Sequence, residues 1–295
     1  MPQNQTNIYN QAVEGELRAE MLSSRITTKL QSFDNVKPGD TAVLRINPGL
    51  TYEKLMFKLT DMIPEDMLNV KLKVGTKVIQ SYKNGGEIAF LNRYYKRVEE
   101  AGYLTLHNVR AEMNNLAQRD RFAIATLSDD LGAKVTSFTI EFEVKVNNPA
   151  QTPKIEAYAV QTPARSGVGR DIVKVRRVSS LDLVAGENEI TSIPALAHIM
   201  GIHFLTNKIE KIELLSDTTK VFDATREIMQ ITQKQAKYAR VPQTNATHMD
   251  WCLTGTPSSA IRAQGVVDFR FKVTTSEAVI VDVLIEYIDP IHGLV

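Results

Sequence analysis

Cysteine is almost missing from this sequence. Cys252 stands alone, so a disulfide within the chain and a zinc module built on several thiolates are both excluded. Tryptophan is as scarce: Trp251 is the only one, and a row of indole platforms for stacking sugars is absent. No run approaches the roughly eighteen apolar residues that cross a bilayer as a helix. The opening MPQNQTNIYN has neither the basic nor the apolar region of a secretory signal. An excess of charge is lacking too. There are 35 Lys and Arg against 34 Asp and Glu, a net +1. A chain that works mainly on nucleic acid carries a clear basic excess, so no direct nucleic-acid partner is expected.

Catalytic signatures are missing as well. There is no Gly-x-Ser-x-Gly elbow, no phosphate loop ending in Gly-Lys-Ser/Thr and no His-Glu-x-x-His. The histidines are His107, His198, His203, His248 and His292. His198 and His203 are five apart, which on a strand puts them on opposite faces and makes a poor metal pair. Structural or surface roles are expected for all of them. Cys252, beside Trp251 in a segment that reads as a strand, is expected to be a buried, inert thiol. Asp129-Asp130 before Gly132 lacks the ordered carboxylate spacing of a calcium loop and reads as a polar hairpin. No catalytic or metal-ligating residue is assigned, and an enzyme is not expected.

What is present is core material. Of 295 residues, 43% are hydrophobic and 23% charged, enough for two domains or one large one. Residues 1–24 stand apart. The first eleven carry no charge, and then Val13, Leu17 and Met21 recur every four residues on a narrow stripe. A helix so short is marginal by itself. With Ile8 and Tyr9, these side chains mark an arm expected to order against a neighbouring subunit, a membrane or the protein body; a frayed terminus is the alternative.

From Arg25 the texture is β. Strands are expected near 41–46, 54–59, 70–74, 103–109, 122–127 and 135–146, with Pro38-Gly39, Asn47-Pro48-Gly49 and Gly85-Gly86 marking turns. In the last strand Phe138, Ile140, Phe142, Val144 and Val146 alternate with Thr139, Glu141, Glu143 and Lys145, the period of a strand with one buried face. One helix interrupts, expected over 87–98, with Ile88, Leu91, Tyr95 and Val98 on its apolar side. Arg93, Lys96 and Arg97 are read as its solvated face. Residues 147–171 hold Pro149, Pro153, Pro163 and the run Arg165-Ser166-Gly167-Val168-Gly169-Arg170, the best domain boundary in the chain; a short strand near 155–160 fits within it.

The two halves repeat. Ser32, Phe33, Asp34 and Val36 match Ser180, Leu181, Asp182 and Val184, and Gly39-Asp40 matches Gly186-Glu187. Leu72 and Val74 match Ile212 and Leu214. Glu87, Ile88 and Leu91 match Glu227, Ile228 and Ile231, and Ile140-Glu141-Phe142 matches Ile285-Glu286-Tyr287. A second helix is expected over 224–238 with Asp223 as its N-cap. The expectation is an arm (1–24), an all-β domain (25–148), a linker (149–171) and a second domain of the same design (172–295). Near the linker Arg165, Arg170, Lys174, Arg176 and Arg177 form a basic cluster. Such a face suits lipid phosphates, nucleic acid or an acidic neighbour. The preferred reading is a solvated edge strand guarded by charge.

Two consecutive all-β domains, each with an inserted helix and preceded by a short amphipathic arm, resemble the major capsid proteins of the double jelly-roll lineage. The similarity is greatest to those of small tailless, membrane-containing icosahedral bacteriophages of the corticovirus type. Thr51-Tyr52-Glu53, Asn69-Val70-Lys71-Leu72, Gln80-Ser81-Tyr82-Lys83, Val109-Arg110-Ala111-Glu112-Met113 and Pro153-Lys154-Ile155-Glu156-Ala157 carry it. The resemblance implies two tandem eight-stranded jelly rolls and a homotrimer with six barrels in a ring, a pseudo-hexagonal tile. Such tiles pave a capsid lattice over an inner viral membrane, which the arm would reach, beside penton and minor capsid proteins. It implies residence in the virion after synthesis in the host cytoplasm. It implies no cofactor beyond structural calcium, which some relatives bind. The competing function is a carbohydrate-binding or adhesin (spike-like) protein of two jelly rolls. Outer loops are sought at 239–250 and 255–264.

Overall fold

The computed structural model describes residues 25–126, 135, 137–147, 151–163 and 171–290. The arm residues Ile8, Tyr9, Val13, Leu17 and Met21, the Asp129-Asp130 loop, and Arg165 and Arg170 lie outside the described residues.

The first half contributes β1 (Ile26–Lys29), β2 (Thr41–Ile46), β3 (Thr51–Thr60), β4 (Met67–Val74), β5 (Lys77–Ser81), β6 (Tyr103–His107), the two-residue β7 (Ile124–Ala125), β8 (Phe138–Val144) and β9 (Lys154–Thr162). Helix α1 (Gly85–Tyr94) lies between β5 and β6, and α2 (Leu116–Asp120) follows β6. The second half contributes β10 (Asp171–Leu183), β11 (Gly186–Ile190), β12 (His198–Phe204), β13 (Ile209–Ser216), β14 (Thr219–Thr225), β15 (Thr247–Asp250), β16 (Phe269–Thr275) and β17 (Val279–Pro290). Helix α3 (Arg226–Gln235) lies between β14 and β15.

The strands of each half form two facing sheets. In the first, β1-β9-β3-β6 faces β2-β8-β4-β5, with β7 added to β3; in the second, β15-β12-β17-β10 faces β11-β16-β13-β14. If β7 is set aside, both halves have the same connectivity. The first, eighth, third and sixth strands make one sheet, and the second, seventh, fourth and fifth make the other. That is a jelly roll, twice, with a helix between the fifth and sixth strands each time. Each barrel is filled from both sheets. Phe33 meets Phe57 and Phe142 edge-on at 5.9 and 5.4 Å in the first. Phe204, Phe271 and Ile285 are fully buried in the second. β8 follows its pattern: Phe138, Ile140, Phe142 and Val144 are buried, and the Thr and Glu residues between them face out.

Several expectations are corrected. The last repeat match pairs strands that are not equivalent. Ile140-Glu141-Phe142 lies on β8, the seventh strand of its barrel, but Ile285-Glu286-Tyr287 lies on β17, the eighth. Alternating apolar residues are common to all such strands and carry no strand identity. Helix α1 starts earlier and ends earlier than expected. The Asn84 side chain accepts from the Glu87 amide, and Lys96 takes a left-handed φ of 55° that stops the helix. Val98 therefore lies beyond the helix and is 88% exposed. Arg97 folds back onto the buried Glu112 instead of facing solvent. Helix α3 is capped by Thr225, whose side chain accepts from the Ile228 amide. Asp223 is still in β14, opposite Glu213. Cys252 is buried, but in a single 3-10 turn and not in a strand.

The segment between the halves is more ordered than a linker: β9 lies between β1 and β3, inside the first sheet. Nor is β10 an edge strand. It pairs with β17 on one side and β5 on the other, which joins a sheet of each barrel into one eight-stranded sheet. The stretches 239–250 and 255–264 are anchored by the buried Arg240, Ala246 and Ala263, and Val241, Asn245, Ser258 and Arg262 in them are exposed.

Candidate functional site: the junction between the barrels

Three features weld the barrels together. The first is the edge-to-edge seam, where β5 and β10 run parallel with Gln80 opposite Val175. The Gln80 side-chain amide donates to the Val173 carbonyl at 3.2 Å and accepts from the Tyr82 hydroxyl at 3.0 Å. The second is apolar and aromatic. Helix α1 carries Phe90 and Tyr94 onto the second barrel, where both rings stack on His248, at 5.4 and 4.2 Å between centroids. Val175, Ala246 and Leu284 of the second barrel pack into the first barrel's core cluster.

The third feature is a buried charge network. Glu286 on β17 accepts from Arg110 and from the Tyr95 hydroxyl, and its carboxylate lies 3.1 Å from His203 Nε2. His203 Nδ1 is 2.8 Å from His248 Nδ1. His203 donates through Nε2 to Glu286, and a single proton lies between the two Nδ1 atoms. The Gln243 amide lies at the remaining His248 nitrogen, 3.5 Å away, where an acceptor is needed. Arg97 and Arg110 each approach Glu112 at 3.3 Å. Arg240 donates to Asp250 at 2.8 Å, and the Tyr94 hydroxyl donates to the same oxygen at 3.2 Å. The Tyr95 ring is the hub: the guanidinium carbons of Arg97, Arg110 and Arg240 lie 4.7, 4.9 and 5.1 Å from its centroid.

Burial and pairing oppose each other here. Burial alone would raise the Glu286 carboxyl, but Arg110 and His203 outweigh it and hold it well below the usual carboxylate range. Glu112 is likewise held down, against its burial, by Arg97, Arg110 and Arg240. Burial pushes His248 well below the usual imidazole value, helped by His203 and Arg226, so it stays neutral. Burial pushes the Cys252 thiol up to about 12, with the Asp250 charge adding to it. That thiol is no nucleophile. Charges taken out of water return little net stability, but a pair broken on one side is costly. The arrangement acts as a fastening that accepts one relative placement of the barrels.

The basic cluster from the sequence is largely neutralised. Lys174 pairs with Asp289, and Arg177 with Asp282 at 2.5 Å. Arg177 also approaches Glu87 of α1 at 3.4 Å, a contact across the junction. Arg176 is exposed. Tyr95, His203, Arg240, His248, Asp250 and Glu286 were not singled out as site residues. One signal was present: Glu286 breaks the apolar run Val283-Leu284-Ile285, and a carboxylate there needs a buried partner. Gln80, Tyr82, Arg110 and Glu112 fall inside the segments that carry the family resemblance. Of the segments that carry it, Gln80-Ser81-Tyr82-Lys83 and Val109-Arg110-Ala111-Glu112-Met113 reach the junction. Among the described residues, no group of three His, Cys, Asp or Glu side chains is placed to hold a metal ion.

Family comparison agrees with this architecture. The viral coat protein P2 N-terminal domain matches residues 27–162, and the viral coat protein P2 C-terminal domain matches residues 172–291. The chain belongs to the viral coat protein P2 family. Major capsid protein P2 of Pseudoalteromonas phage PM2 is 24% identical over 266 residues, 88% of this chain and 94% of the relative. The crystal structure of that phage protein superposes with a TM-score of 0.83 at 23% identity, covering 90% of this chain and 98% of the other. The STIV MCP shares the fold at 8% identity, with a TM-score of 0.64 over 90% of this chain and 96% of the other. The PBCV-1 virus capsid gives 0.62 at 8% identity, over 90% and 93%. Among these coat proteins, the chain shares the double jelly-roll fold of the phage major capsid protein.

Proposed function

We propose that this coat protein is the repeating tile of an icosahedral virion. Three copies would close into a ring of six barrels, and the rings would pave a shell over an internal membrane. The observation that carries this reading is the rigid side-by-side fusion of two like barrels by one shared sheet and a buried ionic junction. Each chain then supplies two nearly equivalent sixths of a hexagonal tile. The arm, with Ile8, Tyr9, Val13, Leu17 and Met21, would face the membrane or a neighbouring copy. For Arg165, Arg170 and the exposed Arg176 of the basic cluster, a lipid phosphate or an acidic neighbour would be the fitting partner. Penton and minor capsid proteins would complete the shell, with calcium as the candidate structural ion. The role is structural, with no catalytic step, and it is carried out in the virion after synthesis in the host cytoplasm. Trp251 is half-buried and packs on Phe222 at 6.3 Å, and Tyr94 and Tyr95 are buried, so these aromatics offer no sugar platform to the adhesin alternative.

Light scattering of the purified protein at micromolar concentration tests the reading. The expected mass is three times the 33.0 kDa chain mass. A monomer would overturn it.

A further inference from the structure

Beside the junction lies an open cleft of about 640 Å³ that needs both barrels to form. Its walls hold five cationic side chains: Lys54, Lys96 and Arg97 from the first barrel, and Lys237 and Arg240 from the second. One carboxylate, Glu112, stands against them, and it is already engaged by Arg97 and Arg110. Arg240 is engaged by Asp250. Among the described residues the three lysines have no carboxylate partner. Lys54 and Lys96 make no ion pair among the described residues, and the Lys237 ammonium reaches the neutral side-chain oxygen of Asn114, at 3.0 Å, and lies 5.3 Å from the Tyr238 ring centroid.

Two further observations indicate an anion. Arg97 has a side chain only 10% exposed, and its Nε has no hydrogen-bond partner. A buried donor left without an acceptor is unusual and costly. His107, also in the cleft wall, is pushed down to about 2, by burial first and then by Arg97, Lys54 and Arg110. Burial is the larger part of that shift, and the neighbouring cations add to it.

We propose that this cleft binds a phosphate-class anion, a phosphomonoester or phosphodiester group, held by Lys54, Lys96 and Lys237 with Arg97 behind them. Phosphate offers several oxygens to donors that converge from different elements, where a carboxylate offers two. The cleft is also larger than a bare anion. The exposed Val98 and the ring of Tyr238 in its wall suit the carbon framework that carries the group. A soluble phosphate compound and a phospholipid headgroup share this chemistry. The site is independent of the assembly reading, because its ligand is read out separately from the oligomer mass.

The test uses the full chain. Inorganic phosphate is titrated calorimetrically at constant ionic strength into three proteins. They are the wild type, the cleft variant Lys54→Gln/Lys96→Gln/Lys237→Gln, and the charge-matched control Lys208→Gln/Lys220→Gln/Lys272→Gln, whose lysines pair elsewhere. Binding is expected in the wild type and the control, and about tenfold weaker or absent in the cleft variant. In parallel, the His107 ring resonances of the wild type should shift at constant neutral pH as phosphate is added, a readout that needs no variant. Sedimentation with phosphatidylglycerol vesicles, against phosphatidylcholine vesicles, separates the sources. Vesicle binding lost only in the cleft variant assigns a lipid headgroup, and phosphate binding without it assigns a soluble compound. No phosphate or vesicle binding overturns the proposal. So does equal weakening in the control, or capture of duplex DNA without any response to phosphate.

Discussion

Single residues decide this protein where charge is buried. Glu286 has hydrogen-bond partners on three sides, and Arg110 is as deeply buried as it is. Replacing Glu286 by Gln leaves the Arg110 guanidinium in a low-dielectric site with only Glu112, shared with Arg97, as counter-charge. The expected cost is about 3–5 kcal/mol in urea unfolding, most of it from the stranded cation. A loss below about 1 kcal/mol would mean that water reaches Arg110. His107 sets a pH dependence. Folded, its imidazole is pushed down to about 2; unfolded, it titrates near about 6.5. Between these values the unfolded chain binds the extra proton, so stability is lost as pH falls below about 6.5. Glu286 and Glu112, held low in the folded state, extend the loss below about pH 4.3, where unfolded carboxyls protonate. Chemical denaturation across pH should show His107→Gln flattening the upper part of the decline, between about pH 6.5 and 5. An unchanged slope there would refute the assignment.

At the scale of the element, α1 is the piece on which the junction turns. Its first turn is fixed by Asn84, and Gly85 lies so close to Pro64 that an added Cβ would come within 2.5 Å of the Pro64 carbonyl oxygen. Its last turn presents Tyr94 and Tyr95 to the second barrel. Asn84→Ala should cost about 1 kcal/mol in equilibrium unfolding, the usual loss of an N-cap. No change would mean that packing alone fixes the helix. The sequence located the first helix by its apolar spacing and the preceding glycines and the second by the repeat and a capping residue, but placed their ends two to four residues away. Ends are set by capping and by where the preceding strand stops, as Thr225 shows at the end of β14.

The whole molecule should behave as one cooperative unit despite its two barrels. The first barrel's core includes side chains of the second, and Arg110 of one is neutralised by Glu286 of the other. Unfolding either barrel strands an ion and exposes α1's aromatic face. Scanning calorimetry of the full chain should give one transition, with equal calorimetric and van't Hoff enthalpies. Two separated transitions would show that the junction is weaker than either barrel.

The sequence by itself determined an all-β chain of two like domains, each with a helix after its middle strands. Period-two patterns, turn residues and the repeat of Ser32-Phe33-Asp34 at Ser180-Leu181-Asp182 are local signals, and local signals survive in a one-dimensional string. It could not tell β8's counterpart from β17, because every strand with one buried face alternates alike. Only the tertiary structure decided that β10 is interior, that β9 belongs to the first sheet, and that Arg110 and Glu286, 176 positions apart, neutralise each other. A buried charge is legible only with its partner, and the partner is chosen by the fold.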